Sequence, residues 1–195
     1  MSVKGSKTTC SGLEWNTMIG LITQLKKDKL YQDYLLVCIG SYVGLRASDL
    51  LKLKWSDILE KNKLILKERK TGKSRIIVIN PNCQEAVNWV WNNQPRKRYH
   101  TADNFIFTNR KGKSISIQYI NRRIKNLFIK YRVKTDNPST HTLRKTFGKR
   151  VYEMNEQSER SLIMLSLIFS HSSVAVTRRY LGITQEEIQD VYLNL

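Results

Sequence analysis

The sequence predicts a mainly helical α+β domain that carries one small antiparallel sheet. Most of the chain repeats its apolar residues at helical spacing, while Lys63 to Asn80 switches to the two-residue period of strands around a glycine turn. No internal repeat or low-complexity block interrupts the pattern. At 195 residues the chain is long enough for one domain with a sizeable core, or one domain plus a short appendage, and its 41% hydrophobic content argues against disorder.

Residues 1–12 are Ser, Thr, Lys and Gly with little apolar content and read as a flexible lead-in to a single domain over 13–195. Helical spacing then runs from Leu13 to Lys27 and again from Leu30 to Val43, where Gly44 stops it. A third helix begins near Arg46 with Leu50 and Leu53 on one face, before WSDI. KLILKER and SRIIVIN flank KTGK, so Lys63 to Asn80 reads as a hairpin whose Gly72 takes a positive φ. Pro81 opens a helix, PRKRYHTADN forms a basic loop, and NFIFTN reads as a short strand. Further helices fit Ser116–Tyr131, Thr142–Met154, Glu159–Phe169, Val174–Tyr180 and a final Gln185–Leu193.

Charge narrows the partners. Thirty-four Lys and Arg face 16 Asp and Glu, a net +18 with a pI near 10.0. That excess points to nucleic acid ahead of an anionic membrane surface or a merely soluble basic face. No apolar run approaches the roughly 18 residues of a membrane span, and MSVKGSKTTCSG lacks a hydrophobic signal core, so the reading is a cytoplasmic protein. Cys10, Cys38 and Cys83 are odd in number and lack CxxC spacing, which suggests neither disulfides nor zinc.

The chemistry concentrates in the last quarter, where HTLRKTFG (His141 to Gly148) precedes FSHSSVAVTRRYLG (Phe169 to Gly182). His141 and Arg144 stand three apart at a helix start, on one face, where free N–H groups attract an anion. Arginine suits a phosphate because its planar fork gives two parallel charge-assisted hydrogen bonds. The bland alternative is that Thr140 caps the helix and the pair lies on a solvated first turn. Tyr180 follows His171 by nine positions, behind Arg178 and Arg179. A phenol with a pKa near 10 attacks poorly unless cations stabilise its phenolate or a base takes its proton.

Joined by GLRASDLLKLKWSDI from Gly44, the HTLR, FSH and TRRY segments resemble the catalytic domain of the tyrosine recombinases, or phage integrases. The likeness covers Leu13 to Tyr192, and its force lies in the order of weak motifs. It implies Arg46 and Arg144 as the catalytic arginines, Asp49 as the acid that braces Arg46, Lys70 as the hairpin lysine, His141 and His171 as the histidines, and Tyr180 as the nucleophile. Lys73 rivals Lys70, but Lys70 ends the first strand, where the family's lysine stands. Asp49 replaces the commoner Glu, and Ser170 the usual Gly before the second histidine. The family's N-terminal helical domain has no room before Leu13, which implies an isolated catalytic domain or a DNA grip borrowed from another chain or accessory protein.

The resemblance implies attack by Tyr180 on a DNA phosphodiester, leaving a 3′-phosphotyrosyl link, in a homotetramer on two double-stranded DNA sites. It calls for no cofactor, neither metal nor ATP. Lys73, Arg75, Arg122, Arg123, Lys145, Arg178 and Arg179 are the candidate DNA contacts, with His100 a loop residue near backbone phosphate. Trp55, Trp89 and Trp91 read as core or groove-lining aromatics. ITQEEIQDVYLNL after Tyr180 is acidic and near-helical; it either docks on this or a neighbouring subunit or is an ordinary last helix. Two other classes stay open, a type IB topoisomerase with nearly the same residues and a DNA-binding factor with no strand chemistry.

Overall fold

A computed structural model of the protein describes residues 10–67, 72, 74–95, 101–183 and 192–193. Their elements run α1 (Trp15–Lys27), α2 (Tyr31–Val43), α3 (Ala47–Leu50), α4 (Trp55–Ile58), β1 (Lys63–Lys67), β2 (Ser74–Val78), α5 (Pro81–Asn93), α6 (Ile117–Lys130), α7 (Thr140–Met154), α8 (Glu159–Phe169) and α9 (Val174–Leu181). This is the helical domain with one two-stranded antiparallel sheet that the periodicity predicts.

α2 is the central post. All but three of its 13 residues are buried, and α1, α5 and α7 pack around it. Such a helix needs apolar residues on every face, and YLLVCIG supplies them. Amphipathic α1 offers Met18, Leu21 and Leu25, while α6 buries Ile120, Ile124, Leu127 and Phe128. A partly buried ion pair from Arg123 to Asp33 ties α6 to α2. Cys38 and Cys83 are buried free thiols, and burial pushes the Cys83 thiol up to about 12. Trp55 packs on Trp91 with ring centroids 5.1 Å apart, and Trp89 meets Tyr31 and Tyr34.

The hairpin pairs Lys63 with Val78 through Lys67 with Ser74, and Gly72 has φ +69°. Leu64 is fully buried, and on the opposite face Ile65, Ile76 and Val78 are exposed. NFIFTN differs from its expected strand: Phe105 and Thr108 make only single bridges, to Lys54 and Ser114, because the segment bonds to two different neighbours in turn, the Ile106 N–H donating to the Leu53 carbonyl and the Phe107 carbonyl accepting from the Ile115 N–H. WSDI is itself one helical turn, too short for periodicity to register. The α7 cap is Ser139, one residue before Thr140, with Thr142 bonding back to the Ser139 N–H.

Cys10 to Gly12, at the end of the expected lead-in, lie beside α7. The Ser11 N–H donates to the Asp136 carbonyl at 3.3 Å, and the Leu13 N–H donates to Thr146 Oγ1 at 2.9 Å. Among the described residues, no single helix is long and apolar enough to cross a membrane.

Candidate active site

Two helix ends and one helix start build the site. α2 stops at Gly44, whose φ of +64° is left-handed and whose Cβ, if added, would come 2.5 Å from the Phe147 ring. Only glycine satisfies both constraints. The turn it makes delivers Arg46 to the end of α8, which stops at Phe169 with Ser170 left-handed at φ +50°. A helix C-terminus leaves carbonyls without partners and carries partial negative charge, so both ends favour cations.

Arg144 answers that demand. One of its terminal nitrogens donates to the Gly44 carbonyl at 2.5 Å and the other to the Phe169 carbonyl at 3.0 Å. Its guanidinium lies 4.2 Å from the centroid of the Phe169 ring, and only 3% of the residue is exposed. Arg46 donates to the same Phe169 carbonyl at 2.7 Å. Two guanidinium groups more than 90 residues apart in sequence thus meet on one oxygen, a concentration of positive charge suited to an anion.

The rings of Phe169, His171 and Tyr180 pack on one another, with centroids 5.2–5.4 Å apart. His171 Nδ1 is 3.0 Å from Thr177 Oγ1. The Tyr180 hydroxyl is buried and, among the described residues, makes no well-aligned hydrogen bond, with Arg144 lying beside it. Burial pushes the phenol above its ordinary value of 10.0, against the opposing pull of the Arg144 and Arg46 charges. The neighbouring cations therefore do not by themselves hold a phenolate in this arrangement. His141 sits at the second position of α7, and its N–H donates to Ser139 Oγ at 3.2 Å. The ring keeps an exposed edge, yet neighbouring atoms strip part of its water, and with the Arg144 and Lys145 charges they lower its pKa below 6.5.

The profile of the phage integrase family matches residues 13–187. The chain belongs to that family. The probable integrase/recombinase YoeC of Bacillus subtilis (strain 168) is 30% identical over 179 residues, 88% of either chain. Tyrosine recombinase XerH of Campylobacter jejuni is 24% identical over 165 residues, 84% of this chain but 44% of XerH. Among solved structures, XerA recombinase matches with a TM-score of 0.70 at 21% identity, covering 100% of this chain and 66% of that one. XerH bound to palindromic difH substrate, in a post-cleavage complex, gives 0.69 at 18% identity and 98% and 55% coverage. This integrase-family chain therefore spans nearly all of YoeC but about half of XerH.

Other predicted site residues of this integrase-family chain take varied positions. Asp49 is buried one turn after Arg46, and its carboxylate accepts a hydrogen bond from Ser48 at 3.3 Å. Lys70, Lys73 and His100 lie outside the described residues, as does most of the acidic C-terminal segment. Arg75 is half-buried on β2. Arg122 lies over the Tyr119 ring, 5.9 Å from its centroid, and Arg123 is held by Asp33. Arg178 pairs with Glu159 of α8. Lys145 sits 5.2 Å from the Tyr180 ring centroid, and Arg179 lines a groove of about 660 Å³ with Cys10, Lys145 and Lys149. Phe169 and Gly44 escape sequence reasoning because they act through backbone carbonyls. Thr177 was visible in TRRY only as a neighbour of the arginines.

Proposed function

We propose that this chain is a site-specific recombinase that cleaves and rejoins strands of double-stranded DNA through a 3′-phosphotyrosyl intermediate. The observation that carries the reading is the meeting of Arg46 and Arg144 on the Phe169 carbonyl, beside the edge-on rings of His171 and Tyr180. A scissile phosphate entering there exchanges that carbonyl for its own non-bridging oxygens. Arg46, Arg144 and His171 then stabilise the added charge of the pentavalent transition state.

The Tyr180 oxygen forms the new bond to phosphorus as the bond to the 5′ oxygen breaks. His141 takes the phenolic proton, a role its lowered pKa suits because the ring is neutral near pH 7. Lys70 protonates the departing oxygen, and buried Asp49 braces the turn that holds Arg46. One phosphodiester replaces another, so the energy of the bond is kept and reversal with a different 5′ hydroxyl joins new strands. Four copies on two DNA sites, passing through a four-way junction, complete the exchange, with a DNA-clamping domain or accessory protein closing the far face. The solved XerH complexes with difH substrate support DNA as the partner.

A nicked suicide substrate tests this directly. The wild-type protein should accumulate a covalent protein–DNA adduct, while Tyr180→Phe binds DNA equally and forms none. Wild-type binding with no adduct would sink the enzymatic reading, and plasmid relaxation with no intermolecular joining would turn it toward a topoisomerase.

A further inference from the structure

Thr177 has no part in the chemistry above, yet it is the hydrogen-bonding partner of a residue that does. It is fully buried on α9, three residues before Tyr180. Its N–H donates to the Ser173 carbonyl at 3.4 Å in the ordinary helical way. A buried helical threonine commonly turns its hydroxyl back onto the carbonyl one turn earlier. Here the hydroxyl instead meets His171 Nδ1 at 3.0 Å, across the turn that separates α8 from α9.

We propose that Thr177 is a positioning residue for strand cleavage: its hydroxyl holds the His171 ring and keeps the proton on Nε2, where a phosphate oxygen can accept it. This rests on the role given to His171 above. A neutral imidazole has one donor and one acceptor nitrogen, and the bond made at one decides what the other offers. When Thr177 donates to Nδ1, Nε2 must carry the hydrogen. When the ring gains a second proton, the hydroxyl rotates and accepts from Nδ1, and Nε2 remains a donor. A hydroxyl serves both states, whereas a carboxylate would favour the charged ring and a methyl group would serve neither. Because Thr177 and Tyr180 share α9, the same bond also ties the histidine to the helix that carries the nucleophile.

The test uses the full chain. Each of its three histidines gives a separable nitrogen pattern in histidine-labelled NMR, and wild-type His171 should appear as the Nε2-protonated tautomer. Thr177→Val keeps the shape and removes the hydroxyl; it should mix the tautomers and slow adduct formation about 10- to 100-fold, with DNA affinity within about twofold. Thr177→Ser should restore the rate to within about threefold and the single tautomer with it. A wild-type ring protonated on Nδ1 overturns the proposal, and that measurement needs no variant to fold. So does a Thr177→Val protein that cleaves at the wild-type rate, or a Thr177→Ser protein as slow as Thr177→Val, which would mark a packing role. His171→Ala serves as the control. If it too cleaves normally, the role of His171 fails, while the tautomer measurement still judges what Thr177 does.

Discussion

The α7–α9 junction and the β1–β2 hairpin both carry expected catalytic residues, but they are built in opposite ways. At the junction Arg144, Phe169 and Thr177 are at most 3% exposed, and the guanidinium is fixed by the carbonyls that end two helices. Among the described residues of β1 and β2 Leu64 alone is fully buried, while Ile65 is 74%, Ile76 69% and Val78 73% exposed. Groups that meet the charge of a transition state act best when their orientation is set before the reaction, and core packing sets it. A two-stranded ribbon anchored through one face has fewer contacts to hold it and more freedom to follow a substrate.

If that contrast is right, Arg144→Ala should have the largest effect. Cleavage should fall by about 10²–10³-fold or more, with DNA affinity changed far less, because its proposed contribution is to the transition state. Leaving the Gly44 carbonyl without its Arg144 donor should also cost about 1–3 kcal/mol in folding stability, measured by denaturant titration, whereas the Phe169 carbonyl keeps its bond from Arg46. An equal loss of binding and cleavage would make Arg144 a ground-state phosphate contact.

Gly148→Ala comes next. A Cβ there would lie 2.8 Å from Leu181 Cδ2 and 3.0 Å from the Phe169 ring, pressing α9 away from α7. About 1–3 kcal/mol of stability should be lost, and adduct formation should slow because Tyr180 moves with its helix.

The pH dependence should be smaller. A folded His141 pKa below 6.5 means that the unfolded chain takes up the proton first as pH falls. His141 therefore contributes stability that is present above about pH 6.5 and lost as the pH drops through the folded value. Tm measured from about pH 8 to pH 5 should decline less steeply in His141→Gln than in the wild type. Parallel curves would show that its surroundings do not disfavour the charged ring. Smallest of all is Ile76→Thr on the open hairpin face, expected within about 0.5 kcal/mol of wild type. A loss matching that of Gly148→Ala would erase the distinction between the two regions.

The same contrast explains what could be read from the sequence. The three-residue spacing of His141 and Arg144, the switch of period at Lys63 and the bounds of α8 are local signals, and each appears where expected. The phage integrase likeness, carried by ordered motifs, holds over residues 13–187. What stayed hidden depends on tertiary contact. Phe169 matters through a carbonyl that any residue would carry, and the burial that raises the Tyr180 phenol is set by helices far apart in sequence. NFIFTN carries a short apolar run like that of a strand, but such a run cannot show that no neighbouring strand continues beside it among the described residues. Ser139 and Thr140 are both good caps, and only the helix register decided between them.

Of the nine tyrosines, Tyr180 alone among those described packs against His171 and Phe169 beside the paired arginines, and it is the proposed nucleophile. Trapping the protein on a suicide DNA substrate, digesting it, and mapping the nucleotide-bearing peptide by mass spectrometry tests that claim most directly. The modified residue should be Tyr180 in every adduct. A link through any other tyrosine, or normal DNA binding with no linked peptide at all, would contradict it.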